Sequence, residues 1–225
     1  MQIAFPGVSV ECDDEALIVR SQQRLAVLSS ALVGGGWTSA HTIVNRHVHK
    51  HYRHPDPIQD LRDFARQRGI REPFVGLMTA VFLRHARAVT LAEGELQVVA
   101  VVTAGLGNAT AAGLSEPFRP TSGQAESRTG TVNTILLIDG NLTPGAMVNA
   151  VITATEAKAA ALHNAGVLTA DGLLATGTST DTVTVACTGR GLALAYAGPA
   201  TVVGWLIGRA VREAVAASLD HGTSA

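Results

Sequence analysis

The sequence predicts an α+β fold: one domain over residues 1–225, with a mainly antiparallel or mixed sheet covered by helices. Three observations predict it. Strand-like and helix-like runs are interspersed along the chain. Two β-rich runs, Arg87–Leu91 and Leu96–Thr103, flank the turn Glu93-Gly94-Glu95, so a hairpin keeps the sheet from being all parallel. The 225 residues are 47% hydrophobic, 16% charged and carry a formal net charge of -1, which suits one compact, well-cored chain.

The elements follow in order. Leu17–Val19, Leu25–Leu28 and Thr42–Val44 are short apolar runs of strand character. In His54-Pro55-Asp56-Pro57, Asp56 suits an N-cap and Pro57 the first helical position, so a helix continues over Ile58–Gln67 and stops near Gly69. Residues 71–87 are ambiguous, with a short helix closing at Val81–His85. After the hairpin, Leu114–Gly130 is polar and holds Pro117, Pro120 and Gly123; it reads as a long mobile loop. Thr131–Asp139 is a strong strand. Thr143-Pro144 opens a helix to about His163, Thr182–Cys187 is another strand, and a last helix covers about Pro199–Ala217. On the 144–163 helix, Val148, Val151, Ile152, Thr155, Ala159 and Leu162 form one apolar stripe, with Glu156 and Lys158 on its opposite edges.

Composition excludes several functions. No basic excess exists to neutralise nucleic-acid phosphates. Two cysteines, Cys12 and Cys187, make neither a disulfide scaffold nor a metal motif. No run is long and apolar enough for a membrane span, and no basic leader opens the chain, so a cytoplasmic protein is expected. The Gly-rich stretches at 34–36 and 105–107 lack a phosphate-binding motif.

Scarce charge acts as a filter. Residues 129–208 hold only Asp139, Glu156, Lys158, Asp171, Asp181 and Arg190 as charged groups. Charges in so apolar a segment are exposed, paired or chemical. Ala175-Thr-Gly-Thr-Ser-Thr-Asp181-Thr182 is the most unusual segment, with its hydroxyls and one carboxylate ahead of a strand. It suits an oxyanion or a polar ligand, or equally a polar turn capped by Asp181.

Four ordered segments carry a resemblance: Thr131–Asp139, Val148–Lys158, Ala175–Asp181 and Tyr196–Thr201. Upstream, Leu28–Ala31, Ile43–Asn45, His54–Pro57, Gly76–Ala80 and Val102–Gly105 match in the same order. From roughly residue 25 to 215 the chain resembles the adenosylcobinamide amidohydrolase family. The resemblance implies a step of corrinoid salvage. The amide between the aminopropanol arm and the corrin propionate is hydrolysed, giving adenosylcobyric acid and 1-amino-2-propanol.

Amide hydrolysis needs a nucleophile, oxyanion stabilisation and a proton for the leaving amine, and the residues offer candidates for each. Glu156 or Asp181 is expected as general base on water or on a Thr hydroxyl, with Thr178, Thr180 and Ser179 as nucleophile or oxyanion candidates. Asn45, His54, Met78, Thr79, Gly105, Asn108, Ser179 and Lys158 are expected to bind the corrinoid. No cofactor is required, since the substrate carries its own cobalt, and no resident metal is expected. The partner is a small corrinoid, with no nucleic acid and no membrane; a homo-oligomer is open. Two departures stand out: Ser179, where the family often has Gly, and the His-rich stretch 45–52. His47, His49 and His51 would share one face if they lay on a strand, which keeps a metal-dependent hydrolase as an alternative beside a non-catalytic corrinoid-binding module.

Overall fold

The computed structural model describes residues 1–117 and 130–219. In chain order the strands are β1 (Val8–Cys12), β2 (Ala16–Ser29), β3 (Gly36–His47), β4 (Val75–Thr79), β5 (Arg87–Glu93), β6 (Leu96–Ala104), β7 (Ala109–Thr110), β8 (Val132–Asp139), β9 (Asn141–Leu142), β10 (Gly177–Thr178), β11 (Thr182–Cys187) and β12 (Ala193–Leu194). The helices are α1 (Pro57–Gln67), α2 (Pro144–Asn164) and α3 (Val202–Leu219), with a 3-10 turn at Leu83–His85.

Among the described residues, one mixed sheet runs β4-β3-β2-β11-β8-β6-β5, with β1 paired to β2. The α+β expectation therefore holds. The hairpin β5–β6 forms where its turn signal lies, with Gly94 at a φ of 61°. β8 and β11 run parallel, and α2 is the crossover between them. The expected short strands of the opening segment are pieces of two long ones, β2 and β3. Their register slips between Arg20 and Leu25, the mark of an irregularity that bends a strand.

That bend explains the alternation of β2. Leu17 and Val19 face a core shared with Ile43, Val99, Val101, Ile135 and Leu137. Ala16 and Ile18 face the other way, against Leu61 and Phe64 of α1. The two ends of the sheet thus curl over a common core. α1 covers one outer face; α2 and α3 cover the other, against Val98, Ala100, Leu136 and Ile138.

Helix starts obey their signals. The Asp56 carboxylate accepts from the Gln59 N–H at 2.9 Å, and Pro57 opens α1. Thr143 accepts from the Ala146 N–H at 3.2 Å ahead of Pro144. Gly69, at a φ of 67°, follows the end of α1.

Three expectations need correction or fall elsewhere. The buried face of α2 is Ala146, Met147, Ala150, Thr153, Ala154, Ala157, Lys158, Ala161 and Leu162, while Val148 and Ile152 are half exposed. Small alanines let α2 lie close to α3 and the sheet, so the side chains that pack are not the bulky ones the wheel emphasised. β3 ends at His47, so His47, His49 and His51 do not share a strand face. The loop expected over 114–130 lies mostly outside the described residues.

Candidate active site

The loop singled out by its hydroxyls, residues 175–181, is pinned at both ends. Gly177 and Thr178 pair with Thr110 and Ala109, and Thr182 enters β11 beside Asn133 of β8. Asp181 sits where the first peptide N–H of β8 needs an acceptor, and its Oδ1 takes the Val132 N–H at 2.9 Å. The same oxygen accepts from the Thr178 hydroxyl. Its Oδ2 accepts from the Thr178 N–H at 3.1 Å and from the Lys158 ammonium. Two carboxylate oxygens offer about four lone-pair sites, so Asp181 is filled, with one site given to a hydroxyl.

Lys158 reaches Asp181 from α2. The two side chains are 8% and 13% exposed, so the pair is shielded from solvent. Both border a cleft of about 450 Å³, whose walls include Leu28, Val148, Val151, Thr155 and Val183. The cleft is mostly apolar, with the ion pair in its lining. Val148, misplaced by the wheel as core, is one of its walls.

A second set of polar groups braces the loop from below. The Thr131 hydroxyl donates to the Thr180 carbonyl at 2.8 Å, and the Thr180 hydroxyl to the Gly130 carbonyl at 2.9 Å. Thr131 also reaches Asn133 Oδ1 at 3.2 Å. Asn133 Nδ2 donates to Asn45 Oδ1 at 2.9 Å and to the Met78 carbonyl at 2.8 Å, and Asn45 Nδ2 donates to the Thr103 hydroxyl at 3.1 Å. Asn108 Nδ2 donates to the Ser179 hydroxyl at 2.7 Å. Thr131, Asn133 and Thr103 were missed by sequence reasoning. The available signal was the spacing of Thr131 and Asn133, alternate polar residues at the entry to β8 ahead of its apolar run 135–138.

The expected residues thus separate. Thr178, Ser179, Thr180, Asp181, Lys158, Asn108, Asn45 and the Met78 backbone join these linked contacts. Thr79 is buried nearby and caps the Val81 N–H at 3.1 Å. The Gly105 N–H donates to the Thr131 carbonyl at 3.0 Å; a Cβ there would lie 2.5 Å from Val81 Cγ2. Glu156 is on the exposed face of α2, outside the cleft lining. His54 belongs to the turn before α1, with Nδ1 2.8 Å from the Asp56 carbonyl and its ring stacked on Tyr52. Among the described residues, no three His, Cys, Asp or Glu side chains gather as a metal site, and no helix is long and apolar enough to cross a membrane.

The family model described as adenosylcobinamide amidohydrolase matches residues 4–225. The chain belongs to this family. A curated protein named adenosylcobinamide amidohydrolase, from Methanosarcina mazei, is 31% identical over 153 residues. That match covers 68% of this chain and 66% of the relative, so the chain spans just under two thirds of the relative's length. The crystal structure of the PH0078 protein from Pyrococcus horikoshii OT3 aligns over 96% of this chain and 79% of its own, at 12% identity and a TM-score of 0.42. A likeness that slight carries no argument about this member of the adenosylcobinamide amidohydrolase family.

Proposed function

We propose that this protein hydrolyses the aminopropanol amide of adenosylcobinamide, giving adenosylcobyric acid and 1-amino-2-propanol, a salvage reaction. The observation that carries the chemistry is the hydroxyl of Thr178 held on Asp181, a residue that lines an apolar cleft. Family membership supplies the substrate.

In the proposed reaction the Thr178 oxygen attacks the amide carbonyl carbon while its proton passes to Asp181. The tetrahedral oxyanion collapses, the C–N bond breaks, and the departing amine takes the proton back from Asp181. Water then attacks the Thr178 ester, losing a proton to Asp181; the C–O bond to Thr178 breaks, its departing oxygen takes that proton back from Asp181, and the corrinoid acid is released. Asp181 is favoured over Glu156 as base because it touches the hydroxyl, while Glu156 points to solvent. Ser179 and Thr180, with Asn108, shape the loop around the oxyanion in this reading, which the Asn108–Ser179 and Thr180–Gly130 hydrogen bonds support. Asn45, Met78, Thr79 and Gly105 are assigned to the support under the loop, and His54 to the periphery of the corrinoid.

An apolar cleft suits the faces and edge alkyl groups of a corrin ring, with hydroxyls and amides meeting its amide fringe. The direct test incubates the protein with adenosylcobinamide, with and without chelator. Release of equal amounts of corrinoid acid and aminopropanol in both samples supports the reading. Tight binding without release turns the protein into a corrinoid-binding module, and loss of release with chelator transfers the chemistry to a metal.

A further inference from the structure

Lysine is almost absent from this chain. Of its 17 basic residues, only Lys50 and Lys158 are lysines. Lys50 is exposed, in the turn after β3, and Lys158 is 6% exposed in the middle of α2. A chain that otherwise uses arginine keeps a lysine at a buried position. The local space explains the choice. A Cβ on Gly177 would stand 2.5 Å from Lys158 Nζ and 2.4 Å from Asp181 Oδ2, so the ammonium is wedged between a bare backbone and a carboxylate. A planar guanidinium needs more room than this compact charge.

We propose that Lys158 serves the reaction through Asp181 rather than by touching substrate. Its ammonium locks Oδ2, so that Oδ1 remains turned to the Thr178 hydroxyl. Lys158 is thus a positioning residue, in place of the substrate-binding role expected for it. This rests on the reading of Thr178 and Asp181 given above.

The groups facing Asp181 among the described residues are few. α2 contributes Lys158, β8 contributes the Val132 N–H, and the 177–180 loop contributes the Thr178 N–H and hydroxyl. Lys158 is the charged member of that set. With both side chains at 13% exposure or less, solvent screens their attraction weakly, and the ammonium has a strong hold on the carboxylate's orientation. Removing it frees Oδ2, so the carboxylate can turn away from the Thr178 hydroxyl.

The test is kcat and KM on adenosylcobinamide for Lys158→Met, alone and combined with Asp181→Asn. Lys158→Met is expected to lower kcat about tenfold with KM unchanged, and to cost no further kcat once Asp181 is already substituted, because it acts through Asp181. An intact kcat, a raised KM with kcat intact, or a full additional loss in the double variant overturns the proposal. Lys158→Arg covers the case in which Lys158→Met misfolds. Its guanidinium needs more room beside Gly177 and Asp181, so it is expected to lower kcat with KM unchanged, and full activity in Lys158→Arg overturns the proposal. Thr178→Ala and Asp181→Asn separate the two levels. If both keep turnover, the underlying reading fails. If both lose it while Lys158→Met keeps kcat, only the role of Lys158 fails.

Discussion

Asn133 Nδ2 donates to Asn45 Oδ1 across 2.9 Å, although their strands, β8 and β3, are separated in the sheet by β11 and β2. In a flat sheet, strands with two others between them stand about 14 Å apart. The contact exists because the sheet curls, and the same curl brings Thr103, the Met78 carbonyl and Thr131 under the 177–181 loop. The floor of the candidate site is therefore a product of sheet curvature.

The central chemical prediction concerns the pair above that floor. Asp181→Asn and Thr178→Ala are each expected to lower kcat by about 10²–10⁴-fold, the range of a lost general base or nucleophile partner. Product release from adenosylcobinamide measures it, with circular dichroism confirming the fold. Glu156→Ala is expected to leave kcat within about twofold, because its side chain points to solvent.

Gly177 has a stricter demand on it than a turn would impose. A methyl there collides with Asp181 Oδ2 and Lys158 Nζ together. Gly177→Ala is expected to destabilise by about 1–3 kcal/mol, as overpacking does, and to lower kcat at least tenfold. Urea unfolding and turnover on the same preparation test both parts.

Asn133→Leu tests the floor. It strips Asn45 Oδ1 and the Met78 carbonyl of their donor in a buried place, at a cost of about 1–3 kcal/mol. Substituting Asn45 as well is expected to cost less than the sum of the single changes, since the two share one interaction. A double-mutant cycle in urea measures that coupling.

Acid sensitivity has an identifiable contributor away from the site. Burial pushes the Asp60 carboxyl up, but hydrogen bonds from Tyr52 and Arg46 outweigh it and hold it below the ordinary carboxylate range. A depressed carboxylate stabilises the fold above its unfolded value of about 3.9 and loses that contribution as pH falls through its folded value. The stability gap between the unsubstituted protein and Asp60→Asn is expected to be on the order of 1 kcal/mol at pH 7 and to shrink below about pH 4. Chemical denaturation at stepped pH measures it.

Thiol chemistry gives a simple check on packing. Burial pushes the Cys187 thiol up to about 12. Cys187 is expected to resist iodoacetamide at pH 8 in the native protein and to react only on unfolding, as mass spectrometry can follow.

Local grammar was legible in the sequence because it depends on neighbours. Asp56, Thr143-Pro144 and Glu93-Gly94-Glu95 act over a few residues, and each does what its chemistry dictates. The hydroxyl-rich loop was also visible, since five hydroxyls and a carboxylate in eight residues are conspicuous. Lys158 was harder to read. Its burial follows from an alanine face on α2, and alanine spacing gives a weak periodic signal beside Val148 and Ile152. Asn133, Thr131 and Thr103 were missed because their importance depends on the curl, which no local pattern encodes. The slip in register between Arg20 and Leu25 falls in Ser21-Gln22-Gln23-Arg24, a polar break in an apolar run that marks the place without revealing the bend.

The position of β11 has a consequence for synthesis. It lies between β2 and β8, yet it leaves the ribosome after both, with more than 150 residues separating it from its β2 partners. Until it arrives, two half-sheets each present an open edge, and pairings of such long range close slowly. The 177–181 loop immediately precedes this keystone strand. The nascent chain therefore gains its reactive hydroxyl and carboxylate in register only in the step that joins the halves, so a chain stalled before residue 187 is expected to hold neither a closed sheet nor a working site.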